Sequence, residues 1–156
     1  MFQFGHEAMS NRLDELPIIS SDSIPDWYHL EIWSGTGIAR VFYLEELNAM
    51  ANTTVRTDFF CNDGWEVPDV LWSGIRLAEL LRNCDILMKD VSSIEFYGGD
   101  YSKVITQNDL KSGEAILALT LDGADLPAAH GGPCRLVVKG LSGDFQVKWL
   151  NRIRVF

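Results

Sequence analysis

Apolar and polar positions alternate along much of this chain with the two-residue period of half-buried strands. His29-Leu30-Glu31-Ile32-Trp33 alternates, Ser34-Gly35-Thr36-Gly37 is rich in turn formers, and residues 38–43 return as a second strand. Residues 44–50, Leu-Glu-Glu-Leu-Asn-Ala-Met, change to helical spacing for about two turns. Residues 55–61 form another strand that delivers Cys61 at its carboxyl end, where Asn62-Asp63-Gly64 breaks it. Residues 77–81 place Leu77, Leu80 and Leu81 on one face of a short helix, and residues 91–97 form a strand stopped by Gly98-Gly99. Residues 115–121, Asp122-Gly123 and Ala124-Asp125-Leu126 predict a hairpin around an Asp-Gly turn, residues 134–138 a further strand, and residues 149–156 the closing one. Many short strands with one or two short helices predict an α+β fold with a β-rich core. Residues 1–24 carry no clean period and read as a loosely held arm, so the domain spans residues 25–156.

Length and composition narrow the classes. The 156 residues make one domain with enough chain for a sizeable core, and 47% hydrophobic with 11% aromatic residues excludes disorder. Thirteen Lys and Arg against 22 Asp and Glu leave a net charge of −9, which argues against nucleic acid and anionic membranes as partners. Cations are scarce enough that each one inside a motif stands out. No run of roughly 18 apolar residues predicts membrane insertion. Residues 1–11 lack the cationic patch and apolar stretch of a leader. The three widely spaced cysteines (Cys61, Cys84, Cys134) suggest no disulfide framework, so the expectation is a cytoplasmic protein.

Three segments carry candidate chemistry. The first is Cys61-Asn62-Asp63-Gly64-Trp65 with Leu71-Trp72-Ser73-Gly74-Ile75-Arg76-Leu77-Ala78-Glu79-Leu80-Leu81. The second is Phe96-Tyr97-Gly98-Gly99-Asp100-Tyr101-Ser102. The third is His130-Gly131-Gly132-Pro133-Cys134-Arg135-Leu136-Val137-Val138 with Val147-Lys148-Trp149-Leu150. In this order they resemble the sulfite-oxidase-type molybdopterin-binding domain family, across roughly residues 27–156. The resemblance implies a β-rich fold with a few short helices, a molybdenum–molybdopterin cofactor, and oxidoreductase chemistry on a small substrate. It also implies a separate electron-transfer protein as partner. By that likeness Cys61 is the metal ligand, Tyr101 stands beside the metal, and His130, Arg135 and Lys148 touch the pterin or its phosphate. Gln146 and Val147 offer backbone groups, Gly98 a backbone contact, and Asp100 an acceptor for pterin N–H groups.

The residue types suit that chemistry by themselves. Molybdenum in a dithiolene is a soft centre that accepts thiolate, and a phosphate calls for cations or backbone N–H groups. Gly131-Gly132-Pro133 lets backbone run close to a flat ligand. Plainer roles stand beside these: an inert buried thiol for Cys61, surface cations for Arg135 and Lys148, a turn residue for Asp100, core packing for Trp65 and Trp72. A zinc site from Cys61, Cys84, His130 and Cys134, or a Cys61–His130 nucleophile pair, has little spacing support.

The chain also departs from the family pattern. Sulfite-oxidising members have an arginine a few residues after the metal cysteine, whereas here the fifth residue after Cys61 is Glu66. A carboxylate there would repel sulfite, so sulfite oxidation is not expected. The amino-terminal segment that closes over the pterin in longer members is short here, with Arg12, Asn11 and His6 as possible substitutes, and the expectation is a domain without the carboxyl-terminal dimerisation domain of eukaryotic sulfite oxidases. These features keep a second reading open, a molybdopterin-binding or interaction module without turnover.

Overall fold

The computed structural model describes residues 24–60, 66–111, 114–141 and 143–156. In chain order the strands and helices are β1 (Leu30–Ser34), β2 (Gly37–Phe42), α1 (Leu44–Met50), β3 (Thr53–Phe60), β4 (Glu66–Arg76), α2 (Leu77–Arg82), β5 (Ser93–Gly98), β6 (Tyr101–Thr106), α3 (Gln107–Lys111), β7 (Ala115–Leu121), β8 (Ala124–Asp125), β9 (Arg135–Val138) and β10 (Leu150–Val155). Short 3-10 turns lie at Met88–Asp90, Ala128–His130 and Gly143–Phe145.

Two sheets carry these strands. The first runs β2-β1-β10-β5-β6 and the second β3-β4-β7-β8, with β9 also paired to β7. Pairing is antiparallel except between β1 and β10, where Ile32 lies opposite Ile153 in a parallel register. Strand β10 therefore enters the middle of the first sheet, between β1 and β5.

Alternation explains which face each strand buries. Leu30, Ile32, Ile94, Phe96, Ile105, Ile153 and Val155 point from the first sheet into the main core, where they meet Ile75, Leu117, Leu119, Leu136 and Val138 of the second. Leu47 of α1 and Leu77, Leu80 and Leu81 of α2 join that core, as their helical spacing predicts. The opposite face of the second sheet holds a smaller cluster of Val55, Val70, Trp72, Ile116, Ala118, Leu121, Leu126 and Val137. Strand β7 is thus buried on both faces, which is why Ala-Ile-Leu-Ala-Leu-Thr-Leu reads as a nearly unbroken apolar run.

Local signals match their elements. The Asp122-Gly123 turn has both residues at positive φ, +48° and +86°, and the Asp122 Oδ1 accepts the Leu71 N–H at 2.9 Å. Glu46 accepts the Tyr43 N–H at 3.0 Å at the start of α1, and two acidic residues in that first turn favour its dipole. Phe96 lies fully buried at the centre of the main core, so Phe96→Ala is expected to cost roughly 3–5 kcal/mol in denaturant titration.

Candidate functional site

The 3-10 turn Ala128–His130 hands the chain to Gly131 and then to a cis Gly132–Pro133 bond before β9 begins at Arg135. On β9, Leu136 and Val138 enter the main core, so Arg135 and Val137 face the smaller cluster. Arg135 is 1% exposed, with Nη1 donating to the His130 carbonyl at 2.9 Å and Cζ 5.1 Å above the Trp72 ring. Trp72 in turn donates its indole N–H to the Thr57 hydroxyl at 3.0 Å. His130 is itself 4% exposed. A guanidinium has therefore been drawn into an apolar cluster and held by a carbonyl and an aromatic face.

Lys148 packs against Gly131, the residue that follows His130. Segment 147–150 is laced to segment 131–136 by backbone bonds: Leu136 N–H to Val147 O at 2.9 Å, Trp149 N–H to Gly131 O at 3.0 Å, and Leu150 N–H to Cys134 O at 2.9 Å. A Cβ on Gly131, which sits at φ +100°, would stand 2.8 Å from the Lys148 Cγ. A Cβ on Gly98 would collide with the Lys148 carbonyl oxygen. Two glycines from separate segments thus make room for this one lysine.

The electrostatics of the pair follow from burial. Desolvation lowers Arg135 to about 9, still charged at neutral pH. Lys148 is lowered to about 8, first by burial and then by the charge of Arg135. An oxyanion placed beside both cations would offset the desolvation and screen their repulsion. A buried guanidinium and a half-buried ammonium whose backbone and stem pack on glycines fit the anionic end of a pterin cofactor.

The other sequence candidates divide. Gly98 lies against the Lys148 carbonyl. Gln146 is buried, but its side chain is committed to the chain itself: Oε1 accepts from Val138 N at 2.8 Å, and Nε2 donates to Val138 O at 2.9 Å and Leu141 O at 3.1 Å. The Gln146 N–H donates to Gly143 O and the Val147 carbonyl accepts from Leu136. Among the described residues, the Gln146 carbonyl and the Val147 N–H have no backbone partner. Asp100 lies on the exposed β5–β6 turn and Tyr101, 44% exposed, opens β6 opposite Gly98. Cys61 lies outside the described residues, in the connection between β3 and β4. Sequence reasoning assigned no site role to Trp149 or Thr57. The only sequence signal for Trp149 was its place beside Lys148, and there was none for Thr57.

Comparison with known proteins decides the family. The model of the oxidoreductase molybdopterin binding domain matches residues 15–156. The chain belongs to this family. It is 33% identical to a sulfite oxidase of Arabidopsis thaliana over 59% of this chain and 28% of that protein. It is 26% identical to the mitochondrial sulfite oxidase of Drosophila melanogaster, over 90% of this chain and 28% of the relative. An NADH nitrate reductase of Arabidopsis thaliana is 32% identical over 54% of this chain. The sulfane dehydrogenase SoxCD of Paracoccus pantotrophus shares the fold, with a TM-score of 0.69 at 23% identity over 90% of this chain and 40% of that one. The β-rich architecture expected of the family is the one observed. The chain spans under a third of the length of the two sulfite oxidases.

Proposed function

We propose that this domain seats a molybdenum–molybdopterin cofactor and uses it as an oxidoreductase on a small substrate. The observation that carries the reading is the pair of cations, buried Arg135 and half-buried Lys148, with Gly98 and Gly131 packed closely against Lys148. Arg135 and Lys148 take the anionic end of the pterin. His130 fixes the Arg135 guanidinium through its carbonyl, and the Gln146 carbonyl and Val147 N–H remain for polar edges of the ring. Trp72 backs the guanidinium and keeps water from that side. Cys61 supplies the thiolate ligand of the metal, and Tyr101 lies on the solvent side of the site, where substrate arrives. When bound, the cofactor supplies two-electron oxygen-atom transfer between water and substrate. The electrons pass to or from a separate electron-transfer protein.

Protein purified from a molybdenum-replete host tests this directly. Molybdenum and pterin near one equivalent each are the expected result, and a protein with neither would sink the reading. A cofactor-binding module without turnover is the second reading, favoured by the exposure of Tyr101. Pterin without a redox-active metal would select it.

Substrate choice follows from charge. Glu66 opens β4 opposite Phe60, at the mouth of the hairpin whose connection contains Cys61. A carboxylate there and a net charge of −9 disfavour small dianions. Reduction of a neutral S-oxide or N-oxide should exceed sulfite oxidation. A dye supplies two electrons, two protons enter, and the oxygen leaves as water. Glu66→Arg should narrow the difference in steady-state assays of both reactions on one molybdenum-loaded sample. Fast sulfite oxidation with inert sulfoxides in the unmodified protein would refute the charge argument.

A further inference from the structure

Trp149 occupies a backbone conformation that bulky L residues rarely adopt, φ +51°, in the segment that joins Lys148 to β10. Such a conformation persists only where the surroundings over-determine it. Here the Trp149 N–H donates to the Gly131 carbonyl at 3.0 Å and its indole N–H donates to the Ala128 carbonyl at 2.7 Å. Its ring lies 3.6 Å from the position a Cβ would take on Gly99, so it also packs on the β5–β6 turn. One residue therefore joins the 128–131 turn, the Gly98-Gly99 segment and the start of β10.

The consequence falls on its neighbour. In continuous extended backbone, side chains 148 and 150 would share a face. Leu150 is fully buried in the main core, whereas Lys148 lies against Gly131 and feels the charge of Arg135. The left-handed step at Trp149 interrupts the alternation and lets the two side chains part. The Lys148 Nζ lies 5.8 Å from the Trp149 ring centroid, so the ring also bounds the ammonium on one side.

We propose that Trp149 is a positioning residue, whose left-handed backbone and indole bond to Ala128 hold the Lys148 ammonium beside Arg135, ready for a phosphate-type oxyanion. The inference rests on the reading of Arg135 and Lys148 as an anion seat, and it adds that the seat is set before the anion arrives. A lysine left to find its own place would spend conformational entropy on each binding event.

The test uses the cofactor-free full chain and inorganic phosphate, following the Lys148 ammonium by nitrogen-resolved NMR. Trp149→Phe keeps a ring and removes the indole bond, and phosphate should bind about fivefold more weakly. Trp149→Gly satisfies the backbone but removes ring and donor together, and should weaken binding about tenfold or more. In both variants the Lys148 ammonium should titrate closer to an ordinary lysine, a change that lost core packing elsewhere would not produce. Thermal melts confirm that each variant remains folded. If the unmodified protein binds phosphate, and both variants bind it equally well with an unaltered Lys148 titration, Trp149 is only a packing residue and this inference fails alone. If the unmodified protein does not bind phosphate at all, the anion-seat reading fails and takes this inference with it.

Discussion

Replacing Arg135 and Lys148 together by methionine should leave a folded protein that no longer retains its pterin. Methionine keeps an unbranched apolar stem, so the packing of position 148 against Gly131 survives, while both charges and the guanidinium contact with Trp72 go. Each charge-assisted contact contributes on the order of 1.5–3 kcal/mol, so one replacement should weaken retention at least about tenfold. The double variant should lose roughly 100-fold or more, since the two cations act on one anion and need not add. Full pterin content in that variant would overturn the assignment. The pH dependence has a definite sign. Lys148 in the fold is held at about 8, below its ordinary 10.5, so the unfolded chain binds more protons between those values. Stability of the unloaded protein should therefore rise with pH across that window, as far as this residue is concerned, and Lys148→Met should flatten the rise. Anion affinity should move the opposite way, falling as pH rises through about 8 and the ammonium is lost. Calorimetric melts and phosphate titrations on the same samples check both signs.

The fold was more legible in the sequence than the geometry of the site. Strict alternation located β1 and β5, the Asp-Gly turn located the β7–β8 hairpin, and helical spacing located α1 and α2. Strand β4 was hidden because Pro68 and Gly74 stand inside it and its register shifts at Thr57/Phe59 and at Ser73/Gly74, so no clean period survives over its eleven residues. Strand β6 was hidden for another reason: it is an edge strand that fully buries only Ile105. At the site, motif order singled out Arg135, Lys148, His130 and Gly98, and these do converge. A linear motif does not say which polar groups the chain will use itself. The Gln146 side chain binds the Val138 backbone, a pairing eight residues distant that no period reveals. Nor does sequence show that Trp149 adopts a left-handed backbone, since tryptophan has no preference for one. Residues 1–23 of the expected arm over 1–24, and Cys61 with residues 62–65, lie outside the described residues.

Cys61→Ser should separate metal from pterin, which the cation variant cannot do. A thiolate suits molybdenum and a hydroxyl does not, so the sulfur-to-metal absorption should vanish and activity should fall at least about 100-fold. Pterin should remain if, as proposed, Arg135 and Lys148 hold its anionic end. The other two cysteines are poor rivals on physical grounds. Cys134 lies in the main core, where burial pushes its thiol up to about 12, so no useful thiolate exists near neutral pH. Cys84 follows the end of α2 half-buried, and its thiol is also raised, by burial first. Cys84→Ser should accordingly leave the metal signature and the pterin unchanged. Cys134→Ala should lower stability by on the order of 1 kcal/mol for the small void it leaves, without altering the absorption. The three variants make a closed comparison on one protein, read by metal analysis, pterin fluorescence and visible absorption. If Cys84→Ser removed the metal signature while Cys61→Ser kept it, the ligand assignment would be wrong and the hairpin between β3 and β4 would lose its claim to the metal.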